Sequence, residues 1–300
     1  MSKAPYSKPA LSSYADIINK LKSRGLSFTN EDKAIHLFEV ISYYRLSGYW
    51  FPFLKDKKEH IFKDGVDFEA VFNLYKFDRE LRKIIIGELE KIEIAFRTKI
   101  DFVMSNAIGP FWYKDISLFS NQEHAATALE IVKSEFKRSK EDFVQAFKAK
   151  YTDEYPPSWI MLEFSSFGLI SRMFCNLRNS EQKKEISSLA GLHPKVLESW
   201  LRSIVHIRNI CAHHSRMWNR VFGLSPKIPK STQYTWLKSS YVDNRKMFFT
   251  LSMILYLSMQ INPKCTFSSK VKTLLKKYQS VDLRAMGFPE NWYLEELWRD

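Results

Sequence analysis

The chain has 300 residues, 45% of them apolar and 15% aromatic, a supply large enough to build a core and to exclude intrinsic disorder. Only 9 Gly and 11 Pro exclude collagen-like and low-complexity classes and argue against a turn-dense all-β fold. Lys plus Arg total 46 against 33 Asp plus Glu, a net charge of +13 that turns attention to acidic or polyanionic partners.

Taken in order, the predicted elements are helical. Tyr14–Arg24 sets Ile17, Ile18 and Leu21 on one stripe, with Gly25 as its C-terminal stop. Glu31–Tyr44 repeats the pattern through Ala34, Ile35, Phe38 and Ile41, capped by Asn30 or Thr29. An aromatic-dense stretch, Tyr43–Phe53, and a turn at Phe62–Phe68 (FKDGVDF) follow. The strongest helix is Phe68–Val103, where Leu81, Ile85, Leu89, Ile92, Phe96, Ile100 and Val103 recur every three or four residues and so require burial. Gly109-Pro110 ends it. Further helices are predicted over His124–Lys150 (one or a pair), Trp159–Leu177, Gln182–Leu189, Lys195–His214, Asn244–Gln260 and Ser268–Tyr278. No alternating strand pattern of useful length and no repeat is visible, so the fold class is all-α. The expected division is an N-terminal helical region over 1–67, a helical core over 68–260 and a C-terminal extension over 261–300.

Cys175, Cys211 and Cys265 are odd in number, widely spaced and form no CxxC, which speaks against a disulfide framework or a metal cluster and for a reducing cytoplasm. The N-terminal MSKAPYSKPALSSY has no apolar h-region. Met247–Ile261 is apolar but falls short of the ~20 residues a bilayer span needs, and reads as a buried helix, so no membrane role is expected.

The charge excess is concentrated. Residues 1–198 hold 30 basic and 27 acidic residues, whereas 199–281 hold 14 basic residues and one acid, Asp243. A solvated basic face is one reading. Exclusion of acids over so long a stretch fits a polyanion better, because a merely solvated face mixes signs.

Within that stretch, residues 202–220 read RSIVHIRNICAHHSRMWNR. Arg208 and His213 form an R-x4-H arrangement with Asn209 directly after the Arg, and His214, Arg216 and Arg220 follow. On a helix Asn209 and His213 share a face, with Arg208 at its edge. Cleaving RNA needs a base for the 2′-OH proton, an acid for the 5′-oxygen and a cation for the phosphorane. Imidazole titrates near neutrality and guanidinium forks onto phosphate. Arg208, His213 and Asn209 are therefore the candidate catalytic residues, acting without a metal or other cofactor. His214, Arg216, Arg220, Arg202, Lys227 and Lys230 are the candidate RNA contacts. Because one chain supplies one such set, a two-fold homodimer would join two. The alternative is a polar helix patch with Ile210 and Cys211 facing the core. Elsewhere, Glu93–Arg97 reads as an i,i+4 ion pair near Glu90, Arg79 and Arg82 as partners of Asp78 or Glu80, His206 as a helix histidine, and the Tyr43–Trp50 aromatics as core before base-stacking surface.

Several segments carry a resemblance: SRGLSF (23–28), ISYYRLSGYWFPF (41–53), F-x-D-G-x-x-F (62–68), YKFDRELR (75–82), EKIEIAFR (90–97), SFGLIS (166–171) and SWLRSIVHIRNICAHHSRMWNR (199–220). Across about residues 8–230 the chain resembles the bacterial abortive-infection family of the AbiD/AbiF type, with Met217 where Leu is expected. The resemblance implies a HEPN-like helical bundle, whose R-x4-6-H motif marks many metal-independent ribonucleases, including modules of type VI CRISPR effectors. It implies phage defence through RNA cleavage or binding, a toxin-like activity held by a small structured RNA, and dimerisation. Carried onto this sequence, it makes Arg208 and His213 catalytic with Asn209 in support. A non-catalytic RNA-binding protein is the alternative it leaves.

Overall fold

The computed structural model describes residue 5, residues 13–238 and residues 242–299. Most of the N-terminal stretch read for a secretory h-region lies outside the described residues. The all-α expectation is met: the described residues form twelve α-helices and one short hairpin, the latter too brief to leave an alternating pattern. They pack as two compact units.

The first unit holds the described residues through Glu80 together with Leu274–Val281. Helix α1 (Tyr14–Lys22) starts at Ser13, whose side chain accepts from Asp16 N–H, and buries Ile17, Ile18 and Leu21 as its spacing requires. Gly25 at φ 89° closes the chain back, letting Leu26 N–H donate to the Leu21 carbonyl at 3.1 Å. Helix α2 (Glu31–Val40) is capped by Asn30, as predicted, but stops short of Tyr44. Ser42 accepts from Arg45 N–H and opens a separate short helix, α3 (Tyr43–Ser47), because a serine offers the backbone a competing local partner.

Strands β1 (Leu54–Asp56) and β2 (Ile61–Phe62) pair antiparallel. Trp50 packs edge-on against Tyr43 and Phe62, and the buried Tyr49 hydroxyl donates to Asp78 at 2.6 Å, so these aromatics are core as expected. Tyr44 alone of the group is strongly exposed. Asp67 ties the 27–29 segment to the start of α4 (Phe68–Ala107): it accepts from Ser27, from Thr29 and from Glu69 N–H. Burial pushes the Asp67 carboxyl up, but those hydrogen bonds outweigh it and hold the group below its usual range.

The second unit holds Leu81–Thr273 and the C-terminal residues from Asp282. The seven apolar residues of the α4 stripe are all buried. Helices α5 (Gln122–Arg138) and α6 (Asp142–Lys150) divide the long segment predicted there. Likewise Trp159–Leu177 divides into α7 (Ser158–Phe164) and α8 (Phe167–Asn176), because Ser166 caps the second by accepting from Leu169 N–H. After α9 (Glu181–Ser188), helix α10 (Pro194–Ala212) packs on α8 and α9. Helix α11 (Met247–Ile261) is buried throughout Met247–Ser258, and Trp200 of α10 sets its ring edge-on to Phe249 and Tyr256 of α11. No described helix is long and apolar enough to cross a membrane. Helix α12 (Phe267–Lys277) runs on to Lys277 and Tyr278, which contact Glu80 within the first unit.

Candidate functional site

Pro194 at the first helical position starts α10, and its last turn delivers the R-x4-H motif. Leu197, Trp200, Leu201, Ile204, Ile207, Ile210 and Cys211 form the buried apolar face of α10, with Glu198 and Ser203 also buried, whereas Arg202, Arg208 and Asn209 are exposed. Arg208 and Asn209 are exposed, the guanidinium 3.5 Å from Asn209 Oδ1. Ile210 and Cys211 face the core, as the sequence predicts.

The helix ends at Ala212, two residues earlier than the predicted His214. His213 is its C-cap, with N–H donating to the Asn209 carbonyl at 2.9 Å. His214 follows at φ 54°, a left-handed conformation that glycine normally occupies at this position. Its N–H donates to the Cys211 carbonyl at 3.0 Å, and Ser215 N–H donates to the Ile210 carbonyl at 3.0 Å. These two bonds are a Schellman closure, which satisfies helix-end carbonyls and turns the chain sharply. Both imidazoles are thereby left exposed at the end of α10.

A buried arginine braces that turn. Arg82 of α4 is only 6% exposed, and its guanidinium donates to the Ser215 carbonyl at 3.3 Å. Arg220, half-buried, donates to the Arg216 carbonyl at 3.3 Å, and Met217 is fully buried between them in sequence. Burial, with the Arg220 charge second, pushes the half-buried His206 imidazole below its usual range. His206 is thus the helix histidine expected, with a cation nearby.

The remaining sequence candidates separate. Arg202 and Lys227 come together with Lys195, Ser199, Ser203 and Ser225 in a cleft of about 510 Å³. Lys227 is fixed there by its backbone: its N–H donates to Ser199 Oγ at 2.7 Å and its carbonyl accepts from Trp200 Nε1 at 2.8 Å. Lys230 is exposed and lies outside this cleft. Arg202 also lines a more apolar cavity of about 550 Å³ between α5 and α8, beside Arg172 and Cys175. Burial raises the Cys175 thiol above its usual range, against the pull of its hydrogen bond from Arg202. Sequence reading singled out neither Lys195 nor the three serines. A visible signal existed: Lys195, Ser199, Arg202, His206, Asn209 and His213 step along α10 by alternating four and three residues, which places them on one face.

The other arginines are structural. Arg97 pairs with Glu93 and donates to the Leu162 carbonyl at the end of α7, as the ion-pair reading predicts. Glu90 is exposed. Glu80, near the exposed Arg79, takes its direct contacts from Lys277 and Tyr278. Among the described residues no three His, Cys, Asp or Glu side chains gather as a metal site.

The family model described as Abi-like protein matches residues 36–219, a span that contains Arg82, Arg97 and the whole of α10 through the His213–His214 turn. Neither a curated protein nor a solved structure matches the chain. The match covers more than half of the sequence; the chain therefore belongs to the Abi-like protein family, a membership that supports a role in abortive-infection defence.

Proposed function

We propose that this chain is a metal-independent endoribonuclease of abortive infection, of the HEPN kind, with Arg208 and His213 as its reacting pair. One observation carries the reading. The R-x4-H motif ends at a Schellman turn that exposes Arg208, Asn209, His213 and His214 together, and among the described residues neither Arg208 nor His213 makes an ion pair. A structural arginine is partnered, as Arg97 is; one that awaits a phosphate is not.

In the proposed reaction an imidazole takes the proton of a ribose 2′-hydroxyl. The 2′-oxygen attacks the adjacent phosphorus, the P–O5′ bond breaks, and a protonated imidazole returns a proton to the 5′-oxygen. The products are a 2′,3′-cyclic phosphate and a 5′-hydroxyl. Arg208 neutralises the phosphorane oxygens and Asn209 hydrogen-bonds the reacting groups. Two copies related by a two-fold axis supply one imidazole for each proton transfer, so the active form is a homodimer. The acid-free stretch 199–242 supplies the field that draws RNA in, and a small structured RNA bound there would hold the protein inactive until infection.

The test is RNA cleavage by the purified protein, with end-group analysis, beside phage plaquing in cells. Wild type is expected to leave cyclic-phosphate ends, and Arg208→Ala and His213→Ala to leave none and to lose protection, both with unchanged thermal midpoints. Normal cleavage by both variants overturns the assignment. RNA binding without any cut ends, in wild type and variants alike, would identify a non-catalytic RNA-binding protein.

A further inference from the structure

The cleft beside the N-terminal half of α10 has the chemistry of a phosphate seat, and it lies on the same helix face as the R-x4-H turn. Three cations frame it, Lys195, Arg202 and Lys227, with the hydroxyl-bearing Ser203 and Ser225 in its wall. Arg202 and Lys227 make no ion pair among the described residues. The single carboxylate there, Glu198, is engaged by Lys183 at 2.8 Å and Lys195 at 3.4 Å. Lys183 is only 2% exposed and is also held by the Leu177 carbonyl at 2.6 Å, so it neutralises Glu198 from beneath and leaves the cleft cationic.

The geometry points to a site for an RNA backbone phosphate, upstream on α10 from the reacting pair, so that a single strand lies along this face of the helix. The proposal rests on the reading of the chain as RNA-handling and goes beyond it by naming where the strand runs. At a rise of 1.5 Å per residue, Arg202 and His213 are about 16 Å apart along the axis, a distance that several nucleotides of extended strand bridge. His206 and Asn209 occupy the face between them, with the Arg220 charge close to His206. The backbone anchoring of Lys227 to Ser199 and Trp200 holds the outer wall in place without its side chain, which leaves the ammonium available to a ligand.

The proposal predicts that affinity grows with strand length and that the growth depends on the cleft. The experiment uses the full chain carrying His213→Ala, and measures anisotropy of a labelled dinucleotide and of a single-stranded RNA of about ten residues, within the usual single-strand site sizes. Each is repeated over a salt series in the same background with Arg202→Ala, Lys227→Ala or both. The longer RNA is expected to bind at least about tenfold tighter than the dinucleotide. Each added substitution should remove part of that gain and flatten the log–log salt dependence by about 0.7, the contribution of one single-strand phosphate contact. Arg202→Lys, which keeps the charge, should restore most of the slope. An unchanged gain and slope in the double variant overturns the proposal, as does displacement of the RNA by inorganic phosphate at equal concentration, which would make the cleft a simple anion site. The two readings fail separately. Wild type that cuts RNA while the cleft variants bind normally removes the strand path only. Cleft-dependent RNA binding with no cut ends removes the nuclease and leaves the path.

Discussion

Helices α4 and α10 each present an arginine flanked by polar residues at helical spacing, and the two arginines live in opposite surroundings. Arg97 on α4 has a side chain 13% exposed, is paired with Glu93 and reaches the Leu162 carbonyl. Arg208 on α10 is exposed, reaches the neutral Asn209 at 3.5 Å, makes no ion pair among the described residues, and belongs to a stretch from which acids are absent. Spacing alone does not tell such residues apart. The partner does: a guanidinium with a carboxylate and a carbonyl already in hand holds a fold together, and one without them contributes little to it.

Breaking the first member of the comparison should have the largest effect on stability. Arg97→Ala leaves Glu93 and the Leu162 carbonyl without their donor in a poorly solvated place. The expected loss is about 3 kcal/mol, the lower end for breaking a buried pair, discounted because both side chains keep some solvent. Urea denaturation reads it directly. Arg208→Ala in the same assay should stay within about 0.5 kcal/mol of wild type, as expected for an exposed side chain. A large loss at Arg208 and none at Arg97 would invert the comparison.

The site's bracing comes next. Arg82→Ala removes a buried donor from the Ser215 carbonyl and is expected to cost about 1.5–3 kcal/mol. It should also lower the proposed RNA cleavage more than Arg97→Ala does when both are assayed well below their midpoints, because Ser215 directly follows the His213–His214 turn. Equal losses of cleavage in the two variants would show that Arg82 supports the fold generally and not the turn.

Here the limits of the sequence become physical. The α4 stripe was legible because seven apolar residues keep one period over about six turns, and only burial sustains such a run. The R-x4-H motif was legible as a spacing within an acid-free stretch. The serine breaks at Ser42 and Ser166 were not, since a serine inside a helical pattern is read equally well as a surface residue until its side chain is seen to accept a backbone N–H. Nor was the role of Arg82, whose carbonyl partner lies far along the chain and carries no side-chain signature. The hairpin at Leu54–Phe62 is too short for period two to register. His214 was visible as a second imidazole, but its left-handed backbone was not, because the position asks for glycine and the sequence supplies histidine.

That substitution gives a third way to sharpen the contrast. If the turn stores strain for the sake of an imidazole, His214→Gly should stabilise the protein by about 0.5–1 kcal/mol, the left-handed relief less the greater freedom of glycine in the unfolded chain. His214→Ala, which keeps the strained geometry, should not stabilise it. Thermal midpoints of the two variants decide the matter. A glycine variant less stable than the alanine one would show that contacts of the His214 side chain, and not backbone strain, set the energy of the turn.

The smallest effect concerns His206, which lies on the α10 face between the cleft and the R-x4-H turn. Its imidazole is held below the ordinary histidine value of 6.5, first by burial and second by the Arg220 charge. A histidine whose folded value is depressed binds a proton more readily when unfolded, so its contribution to stability is intact above pH 6.5 and is lost as pH falls from there through the lower folded value. The stability curve of wild type should therefore fall more steeply below pH 6.5 than that of His206→Gln, which cannot titrate, and the two should run parallel above it. Arg220→Gln should recover only the minor part of the difference, because the charge is the second cause. Were Arg220→Gln to recover nearly all of it, the desolvation of this face of α10 would be slight, and the strip from Arg202 to His213 would be governed by its cations alone.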